Sequence, residues 1–565
     1  MTDHEHAPEA TPEVDPDAPR RDQAPAPRWA GPLAGLLAAA AAITSGLVVA
    51  AAIDVDSPLN AVGSEFIDAT PAWLKEFAID LFGTADKTAL RVGMVIVIGL
   101  LGLAAGALAR RRPAVGPATM VVFGAVGAVI AVGRPGQDAS AAVPALLGAV
   151  IGSAVVWWLI GLVRAGDGAT SVPTEPVRAR SGFDRRRFVA STGGVVGAAV
   201  VATVAARAVE NGRIDEIRDA APDTLPPLAE PGTLGDVEVG SAEVGSAEVG
   251  SAEVVSAAPP VPADATLSPV TPYLTPNDDF YLIDTALSVP RIRLDRWRMR
   301  IGGRVDTPIT LTYDDLLARP QVERIITIAC VSNEVGGGLI GNAVWQGVLL
   351  RDLLEEAGVQ PEAEQVFGTS VDGWTCGFPV EAAMDGRDTM IAIGMNGEPL
   401  PLQHGFPARV IVPGLYGYVS ATKWLESLEL TTWDEATGYW IPRGWAREAP
   451  IKTQSRIDVP RRGEEVPRGI VAVAGIAWAQ QRGIAKVEVR VDEGEWQEAR
   501  LAPDVTIDSW RQWVYEWDTT DVEPGEHRLQ VRATDATGET QTDEVSRPDP
   551  DGATGRHTRT VVVEA

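Results

Sequence analysis

Cysteine and histidine are scarce in this 565-residue chain, with two of the first and five of the second. The cysteines are Cys330 and Cys376, and the histidines are His4, His6, His404, His527 and His557. Two thiols exclude a multi-bridge disulfide scaffold and leave a zinc site of Cys pairs without ligands; one Cys330–Cys376 bridge stays open. No C-x-x-C-H run occurs and no histidine falls within an apolar run, so a haem held inside a membrane would lack axial ligands. Cations are also short, 48 Lys and Arg against 76 Asp and Glu, a formal net charge of −28. That balance excludes a nucleic-acid partner, because phosphate binding needs basic surface.

Apolar runs, by contrast, are abundant in the first two hundred residues. Residues 1–30 are rich in Pro, Ala, Asp and Glu and form an expected disordered cytoplasmic tail. Leu33 to Ile53, Val92 to Ala109, Ala114 to Val132 and Val143 to Val163 are each uncharged and near the ~20 residues needed to cross a bilayer. Their Gly and Ala content suits close helix packing in lipid, so 31–165 reads as a four-helix membrane domain. Arginines cluster at Arg20, Arg21 and Arg28, at Arg110 to Arg112, and at Arg164, Arg178, Arg180 and Arg185 to Arg187. The alternate loops hold only Lys75, Lys87, Arg91 and Arg134, which places the arginine-rich side in the cytoplasm. Within the outward Asp54 to Leu90 segment, Trp73 to Phe82 reads as a surface amphipathic stretch.

Residues 183–209 combine a basic cluster with a mild apolar stretch. This is either a twin-arginine export signal or a fifth span; both put the remainder of the chain outside the cytoplasm, and retention as an anchor is favoured. Residues 210–262 carry GSAEV at Gly240, Gly245 and Gly250, a period that matches no packed element and reads as a flexible linker.

Beyond the linker, Arg324 to Ala329 is β-branched and apolar, a buried strand ending at Cys330. Ser332, Asn333 and Gly336 to Gly338 then form a loop, and Gly347 to Leu354 a turn into a short helix. A thiol so placed is either a small core hydrophobe or a ligand for a soft metal. Gly336, Gly338 and Gly341 satisfy G-x-G-x-x-G, but Asn342, Trp345 and Gly347 come where a dinucleotide fold needs a helix.

The run IACVSN around Cys330, the stretch HGFPARVIVPGLYGYVSATKWL from His404 to Leu425, GMNGEPLPL from Gly394 to Leu402 and TPNDDFY from Thr275 to Tyr281 together resemble the sulfite-oxidase family of molybdenum–pterin enzymes. The resemblance covers about Pro269 to Glu429 and, more weakly, the C-terminal part. It implies a Mo-molybdopterin cofactor: one dithiolene, two oxygen ligands and the Cys330 thiolate on the metal. It also implies that Tyr281, Asp372, His404, Arg409, Ser420 and Lys423 bind the cofactor, with Arg409 and Lys423 facing its phosphate. One extra residue lies between Gly417 and Lys423, which shifts the alignment at Ser420. Two family arginines are missing: Ile283 stands in FYLIDT where the family has F-Y-V-R-N-H, and Glu334 and Val335 stand where it has C-A-G-N-R-R. The implied substrate is therefore not sulfite but a neutral organic molecule such as a sulfoxide or N-oxide, with electrons exchanged with a separate carrier.

From Ala449 onward the pattern changes. Alternating runs at Gly469 to Ala477, Lys486 to Val491, Trp510 to Trp517, His527 to Ala533 and Thr560 to Val563, broken by turn signals, predict an antiparallel immunoglobulin-like sandwich. Trp478, Trp510 and Trp513 read as its core, and in the family such a domain pairs protomers, so a homodimer is expected. The predicted architecture is multi-domain: N-terminal transmembrane helices, a mixed α+β molybdopterin domain over 263–447, and an all-β sandwich over 448–565. The expected location is the cell membrane, multi-pass, with the catalytic domain extracytoplasmic. The competing function is a non-enzymatic membrane-tethered adhesion or binding protein, which makes no use of Cys330, His404, Arg409 and Lys423.

Overall fold

A computed structural model describes residues 26–71, 74, 77, 81–82, 86–135, 137–167, 183–230, 237–240, 249–252 and 256–565. Most of the expected N-terminal tail and of the Trp73 to Phe82 stretch lies outside these residues. The chain divides into two compact units: residues 1–65, 84–133 and 137–210, and residues 66–83, 134–136 and 211–565.

Among the described residues, five helices are long and apolar enough to cross a membrane: Ala30–Ile53, Asp86–Arg111, Val115–Gly133, Val143–Asp167 and Arg185–Ala220. In the first unit glycine lets helices touch backbone to backbone. A Cβ on Gly35 would overlap Gly102 and Gly106 of the facing helix, and one on Gly148 would overlap the Ala42 carbonyl. The small residues noted in the sequence are thus the packing surface.

Most of the second unit follows the last long helix, whose final residues from Asn211 belong to it. Two four-residue strands, Val237–Gly240 and Val249–Ala252, pair antiparallel within the segment read as a linker. The middle domain holds two five-stranded sheets. One runs in the order Glu398–Pro399, Met390–Met395, Ile340–Leu349, Val322–Ala329, with Arg409–Ile411 also on Met390–Met395. The other runs Ile309–Leu311, Met299–Gly303, Leu425–Thr431, Gln365–Ser370, Thr375–Pro379, and a single apolar core joins them.

The strand expected before Cys330 is present as Val322–Ala329. Ile340–Leu349 is a ten-residue strand antiparallel to it, which fills the stretch between the expected loop and the expected turn and runs on through Gly347. Burial overrides the local signals there. Asn342 is fully buried yet satisfied, accepting from Thr327 Oγ1 at 2.9 Å and donating to the Tyr273 carbonyl at 2.9 Å. Gly347 sits at a register shift where a Cβ would overlap the Ile391 carbonyl. The short helix comes next as Leu350–Ala357, so no helix opens at the third glycine of G-x-G-x-x-G.

The C-terminal domain is a sandwich of two sheets. One is Gln454–Val459, Ile470–Trp478, Arg511–Asp518, Arg500–Leu501; the other is Glu465–Val466, Thr558–Val563, Gly525–Asp535, Ile484–Val491, Gln497–Glu498. Trp513 belongs to its core, as expected. Trp478 and Trp510 instead pack in a cluster with Tyr273, Ile325, Ala329, Val331 and Tyr416 of the middle domain. Trp510 donates through Nε1 to the Tyr273 carbonyl at 2.9 Å, and its N–H donates to Thr327 Oγ1 at 2.8 Å. The sandwich is therefore fastened to the strand that ends at Cys330.

Candidate functional site

The Val322–Ala329 strand delivers Cys330 to the sheet edge, where its N–H donates to the Leu339 carbonyl at 2.9 Å and closes the adjoining loop. Both cysteines are free thiols, so the Cys330–Cys376 bridge does not form. Cys330 is 8% exposed, and burial pushes its thiol upward, against a weaker opposing effect from hydrogen bonds with Ser332. Such a thiol is inert unless a metal or cation draws off its proton. Cys376 is more deeply buried and lies 3.1 Å from Thr422 Oγ1, a structural partner.

Arg409 opens the short strand Arg409–Ile411 and is buried at 5% exposure. Its Nη1 donates to the His404 carbonyl at 2.9 Å, and its guanidinium lies 5.1 Å from the Trp345 ring centre. Its Nε has no partner. Among the described residues Arg409 forms no ion pair, and burial lowers its pKa to about 10, so it still carries its charge at neutral pH. An unpaired buried cation is costly, and the observed orphan donor suits an anion brought in from outside.

His404 is 1% exposed and uses Nε2–H on the Asn277 carbonyl at 2.8 Å, edge-on to Phe280. Burial lowers its pKa to about 4, with Arg409 and Lys423 acting in the same direction, so the ring is neutral. Tyr281 stacks on Phe280 and is half-buried. Burial and the Cys330 sulfur raise its hydroxyl pKa while Arg409 opposes, which places this phenol within electrostatic reach of both.

Lys423 Nζ lies 2.6 Å from Asp284 Oδ2 and 3.1 Å from the Gln403 carbonyl, over the Trp424 ring. Ser420 spends its hydroxyl on the Tyr416 carbonyl at 3.0 Å, and Asp372 closes its own turn by accepting from the Trp374 N–H at 3.1 Å. Cys330, Tyr281, His404 and Arg409 thus stand together, while Ser420 and Asp372 are engaged locally. Asp284, Asn277 and Trp345 complete the site and carry no separate signal in the sequence. Asp284 lies inside FYLIDT beside the noted Ile283, so position in that motif was its only mark.

Among the described residues no group of three or more His, Cys, Asp or Glu side chains could hold a metal ion by itself. A lone buried thiol and an unpaired buried guanidinium, both within electrostatic reach of Tyr281, fit a metal that arrives with its own organic ligand and a terminal phosphate. The donor set therefore accommodates Mo-molybdopterin.

The family described as oxidoreductase molybdopterin binding domain matches residues 286–440, and a bacterial Ig domain matches residues 454–531. Human mitochondrial sulfite oxidase is 33% identical over 272 residues, 40% of this chain and 49% of that protein. Chicken sulfite oxidase is 32% identical over 321 residues, 48% of this chain and 69% of that protein. The uncharacterized oxidoreductase YuiH of Bacillus subtilis is 36% identical over 152 residues, 27% of this chain and 73% of that protein. The match thus spans about half the length of the human enzyme. Taken with the buried thiol and the unpaired guanidinium, these relationships show that the chain belongs to the sulfite-oxidase family of molybdopterin-dependent oxidoreductases.

Proposed function

We propose that the chain is a membrane-anchored oxidoreductase performing two-electron oxygen-atom transfer outside the cytoplasm, on a neutral organic substrate such as a sulfoxide or N-oxide rather than on sulfite. The observation that carries the chemistry is the isolated, buried Cys330 thiol and the unpaired guanidinium of Arg409, both within electrostatic reach of Tyr281.

When bound, the molybdenum cofactor supplies the two-electron oxygen transfer. Cys330 would hold the metal, and Arg409 would meet the phosphate with its orphan Nε. Lys423 would join it through a share of the charge now given to Asp284. His404 serves as a positioning residue: its ring is pinned to Asn277 and its carbonyl aims Arg409. Tyr281 keeps its proton on Oη and can offer it as a hydrogen bond.

Substrate choice rests on Ile283, 47% exposed, and on Val335 and the exposed Glu334, which replace the two family arginines. A dianion forfeits charge-assisted bonds of about 1.5–3 kcal/mol each at such a mouth. Electrons leave or enter through a separate carrier, because no described helix long enough to span holds a histidine. The arginine-rich loops favour a multi-pass cell-membrane protein with its catalytic part outside. The basic run Arg185 to Arg187 then acts as a twin-arginine-like signal retained as an anchor, and the C-terminal sandwich pairs protomers.

Molybdenum-loaded protein assayed with an artificial dye against sulfite, dimethyl sulfoxide, methionine sulfoxide and trimethylamine N-oxide tests the substrate. A sulfoxide or N-oxide is expected to outpace sulfite in kcat/KM; sulfite as the best substrate overturns the proposal.

A further inference from the structure

The loop after Cys330 leans on the last strand of the sandwich. Arg456 is salt-bridged to Asp458 at 2.6 Å and donates through Nη1 to the Gly337 carbonyl at 2.8 Å. Gly336 has φ +79° and lies so close to His557 that a Cβ would overlap the imidazole ring. Between them is a pocket of roughly 480 Å³ lined by residues 334–337 on one side and by Arg462, His557, Arg559 and the two flanking threonines on the other.

Three nitrogen groups converge there. His557 Nδ1 accepts the Ile457 N–H at 2.9 Å, so the neutral ring carries its proton on Nε2. Burial, aided by Arg559 and Arg456, keeps the ring neutral, with a pKa lowered to about 4. Among the described residues, neither Arg462 nor Arg559 forms an ion pair; Arg559 has only a 3.5 Å contact from Nε to the Ile457 carbonyl. The one carboxylate on the wall is Glu334, which is exposed, and Asp458 is neutralised by Arg456. Two guanidiniums against one carboxylate leave a local excess of positive charge in a chain of net charge −28.

We propose that this pocket is a binding site for a small oxyanion, held by Arg462, Arg559 and the His557 N–H, next to but separate from the cofactor cradle of Cys330 and Arg409. The ligand is either a free inorganic anion or the sulfonate or carboxylate end of a small organic molecule. Planar guanidinium forks and a neutral imidazole N–H match such oxygens. Because the glycine loop forms one wall, an anion seated there braces the loop that carries Cys330. Glu334 and Val335 are common to this wall and to the substrate mouth, so the anion grip comes from Arg462, Arg559 and His557 of the sandwich. Binding is measured without turnover, so its failure is distinguishable from that of the oxygen-transfer reading.

The test is isothermal titration of the full-length protein in detergent with sodium sulfate, and in a second arm with sodium methanesulfonate, at ionic strength held constant with sodium chloride. Saturable one-site binding of sulfate alone supports a free-anion site, and binding of both supports an organic anion's end. Affinity is expected to fall about tenfold or more in Arg462→Gln/Arg559→Gln. Arg462→Gln alone alters an exposed side chain and should also weaken binding while the melting temperature holds. No saturable binding of either anion, or unchanged affinity in Arg462→Gln, overturns the proposal.

Discussion

Lys423 and Asp284 form an ion pair of 2.6 Å, with their side chains only 9% and 17% exposed, at the edge of the cofactor cradle. The lysine expected to meet a phosphate thus already has a carboxylate. Removing one partner of a buried pair strands the other charge. Asp284→Asn restores the residue of the family motif and is expected to destabilise the cofactor-free protein by about 1–3 kcal/mol. Molybdopterin retention should hold or rise, because Lys423 is released to the phosphate. Denaturant unfolding of the cofactor-free protein, paired with molybdenum content per chain, checks this; a loss of both stability and cofactor contradicts it.

Arg409 poses the opposite case, a buried cation whose Nε has no partner. Arg409→Met keeps much of the side-chain volume over Trp345 and removes the unpaired charge. The cofactor-free variant is expected to melt no lower than wild type, while molybdenum content falls at least about tenfold. Equal cofactor content in both proteins would show that the guanidinium is structural.

Asp508 lies where the sandwich meets the middle domain, and its backbone carbonyl accepts from the Thr327 N–H at 2.9 Å. Burial, helped by the Asp388 carboxylate, raises its pKa from 3.8 to about 6, while a hydrogen bond from Gln481 and the charge of Arg387 oppose. A raised acid favours the folded state below its unfolded value, and that contribution is lost as pH climbs through about 6. Wild type should therefore lose about 1–3 kcal/mol from this group between pH 4 and pH 8. Asp508→Asn is expected to melt higher than wild type at pH 8 and nearly level with it at pH 4. A difference that does not change with pH would contradict the assignment.

Long-range pattern was well written in the sequence, because it depends on runs of residues. The apolar helices, the strand before Cys330 and the alternating strands of the sandwich all obey their hydrophobic periods. Ile340–Leu349 was hidden, since Gly341, Asn342 and Gly347 carry turn signals that only tertiary partners overrule. Trp510 likewise gave no hint that its indole would clamp a neighbouring domain, 237 residues from Tyr273 in the chain. At the site, Cys330, Tyr281, His404 and Arg409 were singled out from motifs that are local, and the fold links Tyr281 to Cys330 and Arg409 and His404 to Arg409. The Asp284 contact with Lys423 was not, as it joins residues 139 positions apart.

The catalytic assignment stands most directly on the sulfur of Cys330. X-ray absorption at the molybdenum edge counts the sulfur neighbours of the metal in purified protein, before any substrate is chosen. Wild type is expected to show three sulfurs and Cys330→Ser two, with an unchanged circular dichroism spectrum and turnover abolished. Three sulfurs in the folded Cys330→Ser protein would contradict the assignment.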